Sequence, residues 1–199
     1  MNLTNCSILF LLYIVIITIN KFNLYHLESK SEKFYQKKQN YKKVHDIFHN
    51  VLPHLDYLEY APDFVFVVLI AYLLIMNYEL IYQVAGFSLV IIFLRQFIIQ
   101  LTVLPKNEVC EIKDTSTFRG GCYDKIFSGH FGITFLTTLI LFDNGLINQL
   151  FMILINFVNA LFILLARCHY TIDIVVSIFV VIIIYQNNLN ICNYLDNHF

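Results

Sequence analysis

The stretch GGCYDKIFSGH (Gly120–His130) sets three glycines, a cysteine, an aspartate, a lysine and a histidine directly before an apolar run. Serine is a favourable N-cap, because its hydroxyl accepts a hydrogen bond from a free backbone N–H of the first helical turn. Glycine permits the backbone to approach a ligand closely. Ser128-Gly129-His130 therefore predicts a helix start whose free N–H groups suit a phosphate. An ordinary serine cap beside an interfacial histidine is the plainer interpretation.

The composition of the whole chain favours a membrane protein. Of its 199 residues, 58% are hydrophobic and 14% are charged, and the mean hydropathy is +0.66. A soluble domain carries about 25% charged residues. The net charge of −1 gives no sign of nucleic-acid binding. The five cysteines are an odd number, and only Cys110 and Cys122 share a predicted polar loop, where they either pair or stay free thiols.

Six apolar runs separated by polar connections predict an all-α, polytopic membrane helix bundle of about six transmembrane helices. The runs are Cys6–Ile19, Phe64–Met76, Gly86–Leu104, Ser128–Phe142, Leu146–Ala166 and Thr171–Tyr185. Several are shorter than the roughly 20 residues that a span needs, so flanking residues must add length. No small-residue cleavage site follows the first run, so we expect that helix to be retained.

These runs divide the chain into four parts. We expect a first transmembrane helix at 1–20, a Lys-rich polar loop at 21–63, a helical core at 64–186 and a short polar tail at 187–199. The lysine run Lys30–Lys43 predicts a solvated amphipathic or disordered segment, with attraction to anionic lipid headgroups as a second possibility.

Six spans place the loops after the first, third and fifth spans on one side of the membrane. His130 opens the fourth span and His169 closes the fifth, so we expect both at that face. In ARCHYTIDIVV (Ala166–Val176), His169 and Asp173 are four residues apart, which puts both side chains on one helix face. The carboxylate would fix the imidazole tautomer and stabilise its charged form. A structural His–Asp pair that locks two helices together is the alternative.

Three cations accompany these groups, namely Arg95, Lys125 and Arg167. Two histidines and an aspartate that converge with possible phosphate partners favour phosphoryl transfer. A buried arginine within a span is rare and should face the bundle interior. For Arg95, a structural pair with Glu79 or Gln100 is the alternative to a phosphate contact.

Three further histidines lie within the 20 residues before the second span, namely His45, His49 and His54. The first two are four residues apart, which is one spacing of a metal-binding pair. No glutamate accompanies them as in H-E-x-x-H, so we expect no metal site.

Four segments resemble one family of membrane enzymes, the sphingomyelin synthase branch of the type 2 phosphatidic acid phosphatase-like superfamily. CYDKIFSGH (Cys122–His130) is similar to that branch's C-G-D-aromatic-x-F-S-G-H segment, and HYTID (His169–Asp173) resembles H-Y-T-[IV]-D. LRQFIIQLTVLP (Leu94–Pro105) resembles R-x-x-x-x-x-x-T-x-L-P, and DIFHNVLPHL (Asp46–Leu55) weakly resembles D-x-x-x-x-x-L-P. The resemblance covers residues 46–186 in order, with six spans as in the family.

The resemblance implies that 64–186 is the catalytic core of a membrane lipid phosphotransferase. His169 would attack the phosphorus of a phospholipid headgroup and form a phosphohistidine, with Asp173 orienting it. His130 would protonate the departing oxygen and then act as a base on the incoming alcohol. The partners would be a phospholipid donor and a ceramide or other lipid alcohol acceptor in the bilayer, with phosphocholine or phosphoethanolamine favoured and no metal or cofactor required.

The residues expected to bind the substrate lie in the same segments: Arg95, Asp124, Lys125, Ser128, Gly129 and Tyr170. Tyr123 stands where the family has glycine and Phe131 where it often has threonine, which leaves the choice of headgroup open. Lipid-phosphatase relatives carry K-x-x-x-x-x-x-R-P, whereas this chain has no Arg-Pro, which favours the synthase branch. The alternatives are an inositol-phosphorylceramide synthase, a diacylglycerol-accepting transferase, a lipid phosphatase, and a non-enzymatic transporter or scaffold.

Charge and resemblance disagree about orientation. Seven lysines between Lys21 and Lys43 lie in the first predicted connection and four basic residues in the third. The positive-inside rule therefore places the face of His130 and His169 in the cytosol. The resemblance implies a luminal or exoplasmic site, and we follow it, expecting an integral protein of the endomembranes (Golgi or ER) or the plasma membrane. The oligomeric state is left open.

Overall fold

The computed structural model describes residues 3–36, 44–101, 104–105, 122–123 and 125–196. Within these ranges there are seven α-helices, one short 3₁₀ helix and no strand. The helices are α1 (Leu3–Gln36), α2 (Ile47–Val51), α3 (Ala61–Asn77), α4 (Leu80–Leu101), α5 (Gly129–Asp143), α6 (Gln149–Leu165) and α7 (Thr171–Asp196), and the 3₁₀ helix (Asp56–Leu58) precedes α3. The all-α prediction is confirmed for this part of the chain.

Two helical stretches, Asp56–Asn77 and Leu80–Leu101, are long and apolar enough to cross a membrane. Gly129–Asp143, Gln149–Leu165 and Thr171–Asn187 are apolar but shorter. Each predicted apolar run lies largely within one helix of the described chain. Helix length therefore supports two spans, and six remain a prediction.

Helix α1 extends well beyond the first predicted span. The run Cys6–Ile19 lies within it, but the helix continues to Gln36, through the first part of the stretch 21–63 that we predicted as a loop. This part of the helix packs against α4, where Leu24 and Leu27 are buried with Ile99. The stretch whose lysines suggested a loop is therefore partly helical, and tertiary contacts accompany that helix.

The lysine run is described only in part. Lys30 and Lys33 are exposed on α1, as expected for a solvated face, whereas residues 37–43 lie outside the described residues.

Helix α5 lies at the centre and packs against α3, α4, α6 and α7. The central core is apolar and fully buried, and includes Leu73, Ile91, Leu136, Ile140, Leu141 and Val181. A Cβ added to Gly132 would lie 3.2 Å from the ring of Phe127, which is itself fully buried. The first turn of α5 therefore packs closely on the loop that precedes it.

The bundle buries many polar side chains and exposes many apolar ones. Its fully buried polar residues include Thr134, Thr137, Thr138, Asn159 and Ser177. The outward residues of α6 include Leu150, Phe151, Ile153, Leu154 and Phe157, each at least half exposed. Large exposed apolar patches are rare on soluble monomers, and helices in lipid commonly use small and polar residues where they meet. This distribution supports a membrane protein.

Candidate active site

Three helix starts meet at one end of the bundle. The first turns of α3 and α5 touch through Asp63 and His130, and the starts of α5 and α7 touch through Ser128 and Asp173. Segments far apart in sequence, Ser128–His130 and His169–Asp173, are thereby brought to one face.

His169 lies in the turn between α6 and α7 and is paired with Asp173. Its Nδ1 is 3.0 Å from Oδ2 of Asp173, and the same oxygen accepts a hydrogen bond of 2.9 Å from the backbone N–H of Tyr170. Asp173 is fully buried and His169 is 5% exposed. Because the carboxylate holds the ring proton on Nδ1, the lone pair lies on Nε2. This is the arrangement of a histidine nucleophile oriented by a carboxylate.

A short segment ahead of α3, residues 44–52, holds this turn in place, and we call it the α2 clasp. Asp46 caps α2 through the N–H of His49 and accepts hydrogen bonds from the N–H and the hydroxyl of Thr171, at 2.7 and 2.9 Å. Nε2 of His49 lies 3.1 Å from the carbonyl oxygen of His169, and its ring lies beside Tyr170. The clasp therefore contacts His169 itself and both residues that follow it.

Both clasp side chains have a shifted pKa. Burial raises the pKa of Asp46, but hydrogen bonds from the N–H groups of Thr171 and His49 outweigh burial, so this pKa lies below its ordinary value. Burial lowers the pKa of His49 by more than the Asp46 carboxylate raises it. At neutral pH His49 is therefore neutral and donates its Nε2–H to the His169 carbonyl.

The end of α6 is tied to the same segment. Arg167 has a φ of 57°, a left-handed conformation that is uncommon outside glycine. Its guanidinium donates to the carbonyl oxygen of Leu52 at 3.2 Å, and the N–H of Leu55 donates to the carbonyl oxygen of Leu165 at 2.9 Å. Arg167 was predicted as a phosphate partner, and one of its guanidinium N–H groups instead holds this turn against Leu52.

His130 lies in the first turn of α5. Ser128 is the N-cap, as predicted, and its hydroxyl accepts a hydrogen bond from the N–H of Phe131 at 3.3 Å. Nε2 of His130 lies 2.8 Å from Oδ1 of Asp63, and the two side chains are 27% and 40% exposed. Sequence reasoning missed Asp63, because an acidic residue in a first helical turn is common for reasons of the helix dipole alone.

Ser177 joins the starts of α5 and α7. Its hydroxyl oxygen accepts a hydrogen bond of 3.0 Å from the N–H of Ser128 and lies 2.7 Å from the carbonyl oxygen of Asp173. Ser177 is fully buried and stands four residues after Asp173, which is the spacing that could have identified it in the sequence. These contacts hold the Ser-Gly-His turn against the start of α7.

Two buried cations accompany the start of α5. Arg95 donates from Nε to the carbonyl oxygen of Phe127 at 3.5 Å, and a Cβ added to Gly129 would lie 3.6 Å from that Nε. Arg95 stands six residues before the end of α4, roughly 9 Å inside the helix. Arg95 is 7% and Lys125 5% exposed. The structure therefore brings Arg95 to the Ser-Gly-His turn.

Two other residues were predicted to bind the substrate, and the structure describes one of them, Tyr170. The ring of Tyr170 is buried beside His49, its centre 5.4 Å from the imidazole centre. Asp124 lies outside the described residues.

The three histidines between α1 and α3 have separate environments. His49 is buried against the turn of His169, whereas His45 is exposed and contacts Asn50. His54 is paired with the exposed Asp56, with Nε2 and Oδ1 2.8 Å apart. Among the described residues, no group of three or more His, Cys, Asp or Glu is placed to hold a metal ion.

The loop that leads into α5 is fastened at its start. Cys122 forms a disulfide bond, and Cys110, its candidate partner from the sequence, lies outside the described residues. The N–H of the next residue, Tyr123, donates to a carboxylate oxygen of Glu28 on α1 at 3.0 Å. Helix α1 therefore contacts the loop that carries the Ser-Gly-His turn.

Comparison with known proteins finds a family match that covers this region of the chain. A family model described as PAP2 superfamily C-terminal matches residues 121–189, which include the Ser-Gly-His turn and the His169–Asp173 pair. No curated protein matches the chain. The family match supports the type 2 phosphatidic acid phosphatase-like superfamily, and with it a phosphatase or phosphotransferase acting on lipids.

Proposed function

We propose that this protein moves a phosphorylated headgroup from a glycerophospholipid to a lipid alcohol, with phosphocholine or phosphoethanolamine as the favoured headgroup and ceramide as the favoured acceptor. The superfamily match supports lipid phosphoryl transfer in general, and the resemblance to sphingomyelin synthases supports ceramide. The observation that carries the proposal is the buried His169–Asp173 pair, held at the bundle end where His130 opens α5.

In the first half of the reaction, Nε2 of His169 attacks the phosphorus of the donor. An N–P bond forms while the P–O bond to diacylglycerol breaks, and the leaving oxygen takes a proton from His130. Asp173 compensates the positive charge that develops on the ring of His169. The product of this half is a phosphohistidine that carries the headgroup.

In the second half, His130 takes the proton of the incoming alcohol. The alcohol oxygen attacks the phosphorus, the N–P bond breaks, and His169 is restored. Water in place of the lipid alcohol would make the same enzyme a phosphatase. Buried Arg95 and the free N–H groups at the start of α5 supply positive potential for the phosphorane oxygens.

We place this face of the bundle in the lumen or outside the cell. The disulfide of Cys122 supports that orientation, because disulfides persist in oxidising compartments and are rare in the cytosol. Three of the basic residues behind the opposite prediction, Lys21, Lys30 and Lys33, lie on helix α1 instead of a loop.

A lipid-transfer assay tests the function. Membranes that contain the protein are supplied with fluorescent ceramide and with phosphatidylcholine, phosphatidylethanolamine or phosphatidylinositol, and the products are separated by chromatography. We expect a new phosphorylated ceramide, whose mobility names the headgroup. Phosphate released from phosphatidic acid without any transfer would assign the protein to the phosphatases. If neither transfer nor phosphate release is observed, the enzymatic proposal is overturned in favour of a transporter or scaffold.

Replacement of the nucleophile gives the matching genetic test. His169→Ala should lower turnover by about 10³-fold or more while the protein stays in the membrane. His54→Ala is the control, because it removes a histidine from an exposed His–Asp pair outside the site. Activity of the His169→Ala variant close to that of the unmodified protein would refute the mechanism.

A further inference from the structure

Asp63 makes a contact that the mechanism above does not use. It lies in the first turn of α3 and places Oδ1 2.8 Å from Nε2 of His130, on a different helix. We propose that Asp63 is the positioning residue that decides which nitrogen of His130 exchanges protons with the reacting oxygens. This inference rests on the proposed function, since it assigns a task within the same reaction.

The two histidines are held through opposite nitrogens. Asp173 engages Nδ1 of His169, whereas Asp63 engages Nε2 of His130. An imidazole whose proton is held on one nitrogen by a carboxylate presents its other nitrogen to the surroundings. His169 is therefore set to react through Nε2, and His130 is set to transfer protons through Nδ1.

The two pairs also differ in exposure. The His169–Asp173 side chains are 6% and 0% exposed, whereas those of His130 and Asp63 are 27% and 40% exposed. A nucleophile gains from one fixed orientation, whereas an acid–base group must reach two different lipid oxygens in turn. The partly open pair suits the second task.

Other charged groups at this end of the bundle make contacts with different partners. Arg95 donates a hydrogen bond to the carbonyl oxygen of Phe127, and the carboxylate of Asp173 contacts Nδ1 of His169. Lys125 is buried in the loop before α5. Within the part of the chain that the structure describes, Asp63 is the carboxylate that contacts His130 directly, so it is the group placed to fix this ring.

In the proposed sequence the Nε2 proton stays on His130 throughout, hydrogen-bonded to the Asp63 carboxylate. In the first half, the imidazolium gives its Nδ1 proton to the oxygen that leaves phosphorus, as the N–P bond to His169 forms and the P–O bond breaks. In the second half, Nδ1 takes the proton of the incoming hydroxyl, as its oxygen bonds to phosphorus and the N–P bond breaks. Asp63 stays negatively charged and acts only through His130.

A donor with a different leaving group separates this role from a structural tie between α3 and α5. p-Nitrophenolate departs without a proton, so a p-nitrophenyl ester of the phosphorylated headgroup needs no acid in the first half. A structural tie would instead affect all donors alike. The measured quantities are kcat with the phospholipid donor and the rate of the first p-nitrophenolate burst.

We expect Asp63→Asn to lower kcat with the phospholipid by about 100-fold and to leave the p-nitrophenolate burst nearly unchanged. Asp63→Glu should recover part of the loss, because it restores a carboxylate. His130→Ala should show the same donor dependence, whereas His169→Ala should lose both reactions. Asp56→Asn is the matched control, because it disrupts the exposed pair with His54, which has the same 2.8 Å contact.

Equal losses with both donors, or no loss with either, would overturn the role of Asp63. Absence of any transfer by the unmodified protein would overturn the proposed function instead, and a second measurement then still tests Asp63. The ¹⁵N NMR spectrum of the histidine-labelled protein reports the tautomer of neutral His130. We expect the proton on Nε2 and its shift to Nδ1 in Asp63→Asn, because the amide can donate to Nε2. A proton on Nδ1 in the unmodified protein would refute the inference.

Discussion

At the scale of single residues, the proposed mechanism gives different tasks to two histidines that differ in burial and in the nitrogen that a carboxylate contacts. His169 is buried, its partner carboxylate on Asp173 is 0% exposed, and His49 donates a hydrogen bond to its backbone carbonyl oxygen. His130 is partly open and faces a carboxylate that is also partly open. A group that forms a bond to phosphorus gains from a rigid setting, whereas a proton carrier gains from access.

The nitrogen of His169 that forms the phosphoenzyme can be identified directly. Because Asp173 holds Nδ1 at 3.0 Å, the headgroup should be attached to Nε2. The protein is exposed to the p-nitrophenyl donor without an acceptor, and the trapped phosphohistidine is assigned by its ³¹P–¹H couplings. Attachment to Nδ1 would contradict the geometry of the pair, and Asp173→Asn should lower the yield of the adduct.

Residue contacts of this kind lie partly beyond sequence reasoning. The spacing of His169 and Asp173 predicted their pairing because four residues span one helical turn. His45 and His49 have the same spacing, from which we predicted no metal site, and only His49 turns inward, to the carbonyl oxygen of His169. Asp63 gave no sequence signal, because its contact with His130 depends on how α3 packs on α5.

At the scale of elements, the α2 clasp has no stability of its own. A helix of five residues is far shorter than an isolated helix needs, so tertiary contacts must hold it. Asp46 and His49 make those contacts with the start of α7 and the turn before it. The clasp and the turn of His169 therefore order one another.

The clasp should make stability depend on pH. The pKa of His49 in the folded protein lies below its ordinary value of 6.5, so the unfolded chain binds the proton more readily. Its contribution to stability is fully present above pH 6.5 and is lost as the pH falls from there toward the lowered pKa. His49→Gln keeps an N–H donor without this titration.

We therefore expect His49→Gln to reduce the drop in melting temperature between about pH 7.5 and about pH 5.5. The measurement is thermal unfolding in detergent or nanodiscs at both pH values. His45→Gln is the control, because His45 is exposed and should leave the drop unchanged. An equal drop in the unmodified protein and in His49→Gln would show that the clasp does not titrate as described.

Local pattern was also a poor guide to α1. Its apolar run was predicted as a span, and the lysines after it as a loop, yet the helix continues to Gln36. The continuation packs on α4 through Leu24 and Leu27, which are buried with Ile99, and it reaches Tyr123 through Glu28. A single-sequence pattern cannot show such contacts, since the partners are remote in the chain.

At the scale of the whole molecule, buried polar residues and an apolar exterior indicate lipid as the solvent. Within the described chain, Asn159 and Thr134 are fully buried, whereas Leu150 and Phe157 are 75% and 64% exposed. In that setting the compartment on each side of the membrane decides which loops meet oxidising conditions. The disulfide of Cys122 supports the proposed orientation, in which the candidate active site faces an oxidising compartment.

Orientation can be tested with a glycan acceptor in the loop between α4 and α5. Lys113→Asn completes an Asn-x-Thr acceptor with Asp114 and Thr115. If the loop is luminal, the variant expressed in eukaryotic cells should gain mass that an endoglycosidase removes. Lys113→Asn combined with Thr115→Ala lacks the acceptor and should not shift. An unmodified Lys113→Asn protein would favour the cytosolic orientation of the positive-inside rule.

The position of the α2 clasp also bears on how this chemistry could be transplanted. The family match, 121–189, contains both histidines, but Asp46, His49 and Asp63 stand well before it. A fragment trimmed to the match would keep both proposed reactive histidines and lose the side chains that contact them or their turn. Grafting the site onto another bundle would require three helix starts and the clasp to be carried over together as one unit.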